Sequence, residues 1–264
     1  MTIRIGVVVF PGSNCDTDAM HALALEGAEA VALWHESPDL HGVAGVILPG
    51  GFSYGDYLRA GALARFSPVM RSVADFAAAG GLVLGICNGF QVLAEAGLVP
   101  GALVRNRSLR FVCREVTLIP ERLDSPFTVA LGERRPLRMP VAHGEGCFVA
   151  DDVTLDAIER DGRVLFRYAS PDGTPATDPA DSANPNGSLR GIAGVSNAAG
   201  NVAGLMPHPE RAVEAILGSD DGRAIVASLV RSAATGAGGT STVTGAPRAD
   251  AAWNGPSIAG GTGA

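Results

Sequence analysis

The chain has 264 residues, enough for one or two domains and for a sizeable core that needs no staples. Hydrophobic residues make up 47% and charged residues 18%, a balance that excludes disorder over most of the length. A net charge of -7, with every one of the 20 basic residues an Arg, argues against a nucleic-acid backbone as the main partner.

In chain order, Ile3–Phe10 is rich in Ile and Val and predicts a central strand. A helix is expected over Asp16–Glu26, with Met20, Leu23 and Ala24 on one face. Ala30–Trp34 and Val43–Leu48 are the next strand candidates. Ser67 and Pro68 read as the N-cap and first residue of a helix carrying Val69, Val73 and Phe76, which Gly80 closes. Leu82–Ile86 predicts a fully apolar strand, and Asn88–Ala96 a helix ending at Gly97. This alternation predicts an α/β fold: an open, mostly parallel sheet with helices on both faces.

The second half reads differently. Phe111–Ile119 predicts a strand, residues 121–139 show no clean period, and Asp172–Gly187 has the Pro, Asp, Asn and Gly content of a loop. Gly191–Ser196 and Val202–Met206 read as strands and Gly222–Ala234 as the last helix. From Thr235 the composition falls to Gly, Ala, Thr, Ser and Pro, too little apolar surface to fold alone. The expected division is therefore one domain over residues 1–234 and a flexible tail over 235–264.

The four cysteines, Cys15, Cys87, Cys113 and Cys147, show neither a CxxC nor a Cys/His metal spacing, so no metal is expected. So few in so long a chain point to a reduced compartment, the cytoplasm. No apolar run reaches the ~18 residues of a membrane span, so no membrane partner is expected.

The sharpest chemical feature is Gly85-Ile86-Cys87-Asn88-Gly89, a nucleophile between an apolar strand and a helix with Gly two before and two after. Such an elbow lifts the sulfur out of the sheet beside a helix N-terminus, whose partial positive charge favours thiolate. Pro207-His208-Pro209-Glu210 follows a predicted strand. The residue before Pro is extended, and side chains two apart on an extended segment face one way, so Glu210 can hold the imidazole of His208 while it takes the thiol proton. In Pro49-Gly50-Gly51-Phe52 the paired glycines leave backbone N–H groups at a strand's carboxyl end. The N–H groups of Gly51 and Asn88 together would make an oxyanion hole.

His143 and Glu145 repeat the His-x-Glu spacing, flanked by Gly rather than Pro, and form a rival acid/base pair. Cys15 is expected to pack, and Cys113 and Cys147 to be inert. Arg105, Arg107, Arg110 and Arg114 read as a solvated or partner-facing basic edge.

The elbow, extended to Phe90-Gln91, together with the Pro-His-Pro-Glu run and the Pro-Gly-Gly turn, resembles the class I, or triad, glutamine amidotransferases. Within them the chain is similar to the glutaminase subunits of phosphoribosylformylglycinamidine synthase. That narrower likeness rests on Phe10-Pro11-Gly12-Ser13-Asn14-Cys15-Asp16, on Gly50 to Tyr57, on Asn106-Arg107-Ser108, on Ala142 to Gly146 and on Asn184 to Ser188. It spans about residues 3–232; the tail and the Arg-rich run 133–138 lie outside it.

The resemblance implies a flavodoxin-like sheet and a catalytic triad of Cys87, His208 and Glu210. It also implies an oxyanion hole from the backbone of Gly51 and Asn88, and glutamine contacts from Gln91 and Gly50. Glutamine would be hydrolysed through a γ-glutamyl thioester. Its ammonia would pass to a large synthetase subunit, assembled with a small adaptor subunit, that converts formylglycinamide ribonucleotide to formylglycinamidine ribonucleotide. No cofactor is expected on this chain; ATP and magnesium are expected on the synthetase. The alternatives are a DJ-1/PfpI-like cysteine hydrolase, in which a His follows the nucleophile where this chain has Asn88, the amidotransferase subunit of another synthetase, and a non-catalytic regulatory subunit.

Overall fold

The computed structural model describes residues 2–236. The expectation of a flexible tail over 235–264 falls almost wholly outside the described residues. Among these residues, eleven strands and five α-helices follow one another. The first half alternates β1 (Arg4–Val9), α1 (Asp16–Leu25), β2 (Glu29–Trp34), β3 (Gly45–Leu48), α2 (Pro68–Ala78), β4 (Leu82–Ile86) and α3 (Asn88–Glu95). β5 (Ala102–Val104), β6 (Val112–Pro120), β7 (Leu137–His143), β8 (Cys147–Val149), α4 (Asp152–Arg160) and β9 (Val164–Ala169) come next. β10 (Ile192–Ser196), β11 (Val202–Leu205) and α5 (Arg223–Thr235) complete the described chain.

Nine strands form one open sheet in the order β2-β1-β3-β4-β11-β10-β9-β6-β7. The pairs from β2 through to β11 are parallel, and the ladders from β11 through to β7 are antiparallel. β5 and β8 pair separately. The fold is thus α/β with an open mixed sheet. Its parallel half matches the strand–helix alternation of the sequence; its antiparallel half comes from segments whose periodicity is interrupted.

Central strands β3 and β4 are buried at every residue, which is why they read as unbroken apolar runs. α1 and α5 pack on each other, while α2 and α3 meet through the turn at Ala64–Phe66. Ser67 occupies the N-cap position of α2 ahead of Pro68, but its hydroxyl does not cap the helix. It pairs instead with the Tyr54 hydroxyl at 2.9 Å, a group that also bonds Nδ1 of His35 at 2.8 Å. A competing tertiary partner has taken the capping oxygen. No helix among the described residues is long and apolar enough to cross a membrane.

Candidate active site

Strands β3, β4 and β11 are parallel neighbours, and their registers set Leu48 beside Gly85 and Leu205 beside Ile86. The chain therefore leaves all three at one carboxyl edge, bringing Gly50-Gly51, Cys87 and the Pro207–Glu210 run to the same place. That edge is where open α/β sheets bind ligands. The N–H of Cys87 donates to the Leu205 carbonyl at 2.8 Å and prolongs the β4–β11 ladder into the elbow.

Cys87 has φ 50° and ψ -106°, a conformation that L-residues adopt under strain, and it stands at the N-terminus of α3. The second elbow glycine is a steric necessity: a Cβ on Gly89 would be driven into the carbonyl oxygen of Leu48. The Cys87 thiol is buried and donates to the Ala142 carbonyl at 3.6 Å.

Nδ1 of His208 lies 2.6 Å from Oε1 of Glu210, and both residues are 2% exposed. The pair meets by a different route from the expected extended segment. His208 is extended, with φ -103° and ψ 88°, but Pro209–Arg211 is a turn of 3-10 helix. Proline's fixed φ suits the first position of such a turn, and the turn curls Glu210 back onto the imidazole. The N–H of His208 donates to the Pro140 carbonyl at 2.9 Å, tying His208 to β7. Burial, the largest single effect, opposes a charge on His208, but the Glu210 carboxylate, Cys87 and Cys15 together outweigh it and raise the imidazole pKa well above its ordinary value.

Cys87 opens into a cavity of about 230 Å³. Gln91 lines it and holds its wall, donating from Nε2 to the Glu145 carbonyl at 2.7 Å and accepting at Oε1 from Asn88 Nδ2 at 3.0 Å. Gly51 lines the cavity at φ 146°, where a Cβ would sit 2.6 Å from the Asn14 nitrogen. The N–H of Asn88 is the first of α3, among those a helix leaves without an internal acceptor. Gly50 does not line this cavity: a Cβ there would lie 2.6 Å from Cε1 of His208, so its contact is with the imidazole.

The sequence reading missed the cavity's charged rim. Asp56 and Glu145 face it together, and burial plus the Glu145 charge pushes Asp56 up to about 6. Arg105 and Arg110 line it as well, so two of the four arginines read as a solvated or partner-facing edge border the cavity beside Cys87. Phe52 and Phe111 stack beside them with centroids 6.3 Å apart. The signal available for Phe52 and Asp56 was their place directly after a strand's carboxyl end.

The rival pair does not form. His143 ends β7 inside a polar cluster, its Nδ1 3.1 Å from Asn106 Oδ1 and its Nε2 3.4 Å from Asn186 Nδ2. Burial, and then the charge of His208, lower its pKa to about 4. Glu145 turns the other way, accepting from the Ala60 N–H at 3.2 Å.

The profile of the CobB/CobQ-like glutamine amidotransferase domain matches residues 2–223. The phosphoribosylformylglycinamidine synthase subunit PurQ of Salinibacter ruber is 59% identical over 87% of this chain and 97% of its own length. The chain belongs to the PurQ family. PurQ of Rubrobacter xylanophilus is 55% identical, over 88% of this chain and 99% of its own. Among solved structures, a chain of PurLQS from Thermotoga maritima superposes with a TM-score of 0.76 at 45% identity, covering 88% of this chain and 99% of that one. A putative GMP synthase protein from Thermoplasma acidophilum, with a TM-score of 0.61 at 16% identity over 89% of this chain and 96% of its own, shares the fold. PurQ membership leaves the DJ-1/PfpI-like alternative without support.

Proposed function

We propose that this chain is the glutaminase subunit of phosphoribosylformylglycinamidine synthase, with Cys87 as nucleophile, His208 as general base and acid, and Glu210 as the group that orients and strengthens the base. The observation that carries the assignment of roles is the strained Cys87 at the strand–helix junction, with the His208–Glu210 pair brought to the same sheet edge.

The cavity beside Cys87 suits one amino acid of glutamine's character. Its carboxylates Asp56 and Glu145 face an α-ammonium, and Arg105 and Arg110 face an α-carboxylate. That leaves the side-chain amide for Cys87. The sulfur turns from the Ala142 carbonyl, yields its proton to His208 and attacks the amide carbon. The N–H groups of Gly51 and Asn88 bind the oxyanion, the group whose charge grows in the transition state. His208 returns the proton to the departing ammonia. Water, activated by the same imidazole, releases glutamate from the thioester.

The acceptor is formylglycinamide ribonucleotide on a large synthetase subunit, which with a small adaptor subunit completes the enzyme in the cytoplasm. ATP and magnesium belong on that partner, since a chain without Lys has no Walker-type loop. The test is the reconstituted complex carrying Cys87→Ala. Glutamine-dependent product formation is expected to vanish while ammonia-dependent formation persists. Wild-type glutamate release by the variant would overturn the assignment.

A further inference from the structure

A second cavity, of about 810 Å³, shares Phe52, Phe111 and Ala142 with the first and reaches the triad from the side of Cys15, His208 and Glu210. Asp18, Glu115 and Glu214 line it together with Arg211; Glu115 pairs with Arg138 and Glu214 with His21, and the lining as a whole remains acidic. Where it meets the triad, one donor atom each from Cys15, His208 and Glu210 lie within 4.8 Å of one another, and all three residues are buried. The triad does not account for all of this. Oε1 of Glu210 holds the imidazole, but Oε2 is buried with no hydrogen-bond partner. The absent side chain of Gly50 keeps the space open: a Cβ there would stand 2.6 Å from His208 Cε1 and 3.3 Å from Cys15 Sγ.

We propose that Cys15, His208 and Glu210 form a capture site for zinc or a similarly soft divalent cation, and that metal bound there silences the glutaminase.

A thiolate, an imidazole and a carboxylate are ligands of zinc, and three of them leave a fourth position for water or the Cys87 sulfur. The thiolate selects against magnesium, so the ion that serves ATP on the synthetase does not compete. Binding releases the Cys15 thiol proton and the proton shared by His208 and Glu210. In the metal-free protein the Cys15 thiol keeps its proton, because burial raises its pKa. With the metal in place the carboxylate no longer supports the base, and the imidazole lone pair is no longer available to Cys87. The inhibition follows from the proposed triad; the metal binding does not depend on it.

Cobalt(II) is the spectroscopic probe. In the full-length Cys87→Ser chain, Cys15 is the only thiol left at the site. One equivalent of cobalt(II) is expected to give a thiolate-to-metal charge-transfer band in the near ultraviolet, and the added change Cys15→Ser to abolish it. No such band, or one that survives Cys15→Ser, overturns the site. The kinetic arm uses the assembled synthetase, with zinc titrated against glutamate release and each variant read relative to its own zinc-free rate. Cys15→Ser is expected to raise the half-inhibitory zinc concentration by about tenfold or more, the scale on which altering a metal site weakens affinity. Ammonia-dependent product formation at the same zinc concentrations should be unaffected. Equal zinc sensitivity of wild type and Cys15→Ser would place the inhibitory metal elsewhere and overturn the proposal. Cobalt binding in a chain with no glutaminase activity would instead refute the proposed function and leave the metal site standing.

Discussion

Two His-x-Glu segments, Ala142–Gly146 and Pro207–Glu210, differ in almost everything but spacing. At His208 the carboxylate two residues on curls back to 2.6 Å from the ring, and the imidazole becomes a stronger base. At His143 the ring lies between two amide side chains, and the imidazole stays neutral to about pH 4. The backbone decides. Pro209 opens a turn that folds Glu210 inward, whereas His143 closes a strand and Glu145 leaves toward the cavity beside Cys87. A charged partner makes a base; a neutral amide pair makes a support.

The hardest test of this contrast is His208→Ala. Loss of a general base removes ~10²–10⁴-fold of rate, and glutamate release by the complex should fall on that scale while ammonia-dependent synthesis stays intact. Glu210→Gln should do less, by roughly one power of ten or two, since the imidazole remains but loses its charged partner. Its signature is in the pH profile: the limb that reports His208 should move to lower pH.

His143→Gln should leave thioester formation largely intact and reduce stability by about 1–3 kcal/mol, because the Asn106 and Asn186 amides lose their ring partner. Unfolded, this histidine takes a proton near its ordinary pKa of about 6.5. Folded, it resists protonation until about 4. The unfolded chain therefore binds more protons between those values. The stability that His143 supports is complete above the upper one and drains away as pH falls toward the lower, by up to about 3 kcal/mol. Denaturant midpoints from pH 7 to pH 4.5 should decline in the wild type and decline less in His143→Gln.

The smallest effect is expected at Asp56→Asn, a several-fold rise in KM for glutamine with kcat little changed. In the wild type this KM should fall as pH rises through about 6, where Asp56 ionises. The variant should lack that dependence; if it keeps it, the α-ammonium contact belongs to Glu145 alone.

The elbow was legible in the sequence because everything that makes it is local. An apolar strand, two glycines and a helix start lie within a dozen residues, and β4 occupies Leu82–Ile86 as expected. Pro207–Glu210 was legible as chemistry but not as geometry, since an X-Pro rule speaks for His208 and not for the turn that Pro209 begins. Asp56, Glu145, Arg105 and Arg110 could not be placed on one cavity from spacing, because they come from three segments far apart in the chain, Arg105 and Arg110 sharing the one between β5 and β6. β7 and β9 were hidden for another reason. In β7 Leu137, Met139 and Val141 do alternate inward, but Pro140 in the middle of the run speaks against a strand, and β9 is buried along its whole length and so shows no alternation to mark it.

The place of β11 in the sheet bears on how the molecule is made. It is the fifth of nine strands across the sheet yet spans only Val202–Leu205, so it is synthesised last of them all. Until it leaves the ribosome, the parallel and antiparallel halves have no strand to join them. Cys87 then stands on a finished-looking N-terminal half without His208, Glu210 or the Leu205 carbonyl that anchors its own N–H. Non-local pairings of this kind form late in folding. With the proposed roles of Cys87 and His208, a nascent or prematurely terminated chain displays the thiol without the imidazole and is expected to consume no glutamine; the capacity to release ammonia then arrives only with the strand that closes the sheet.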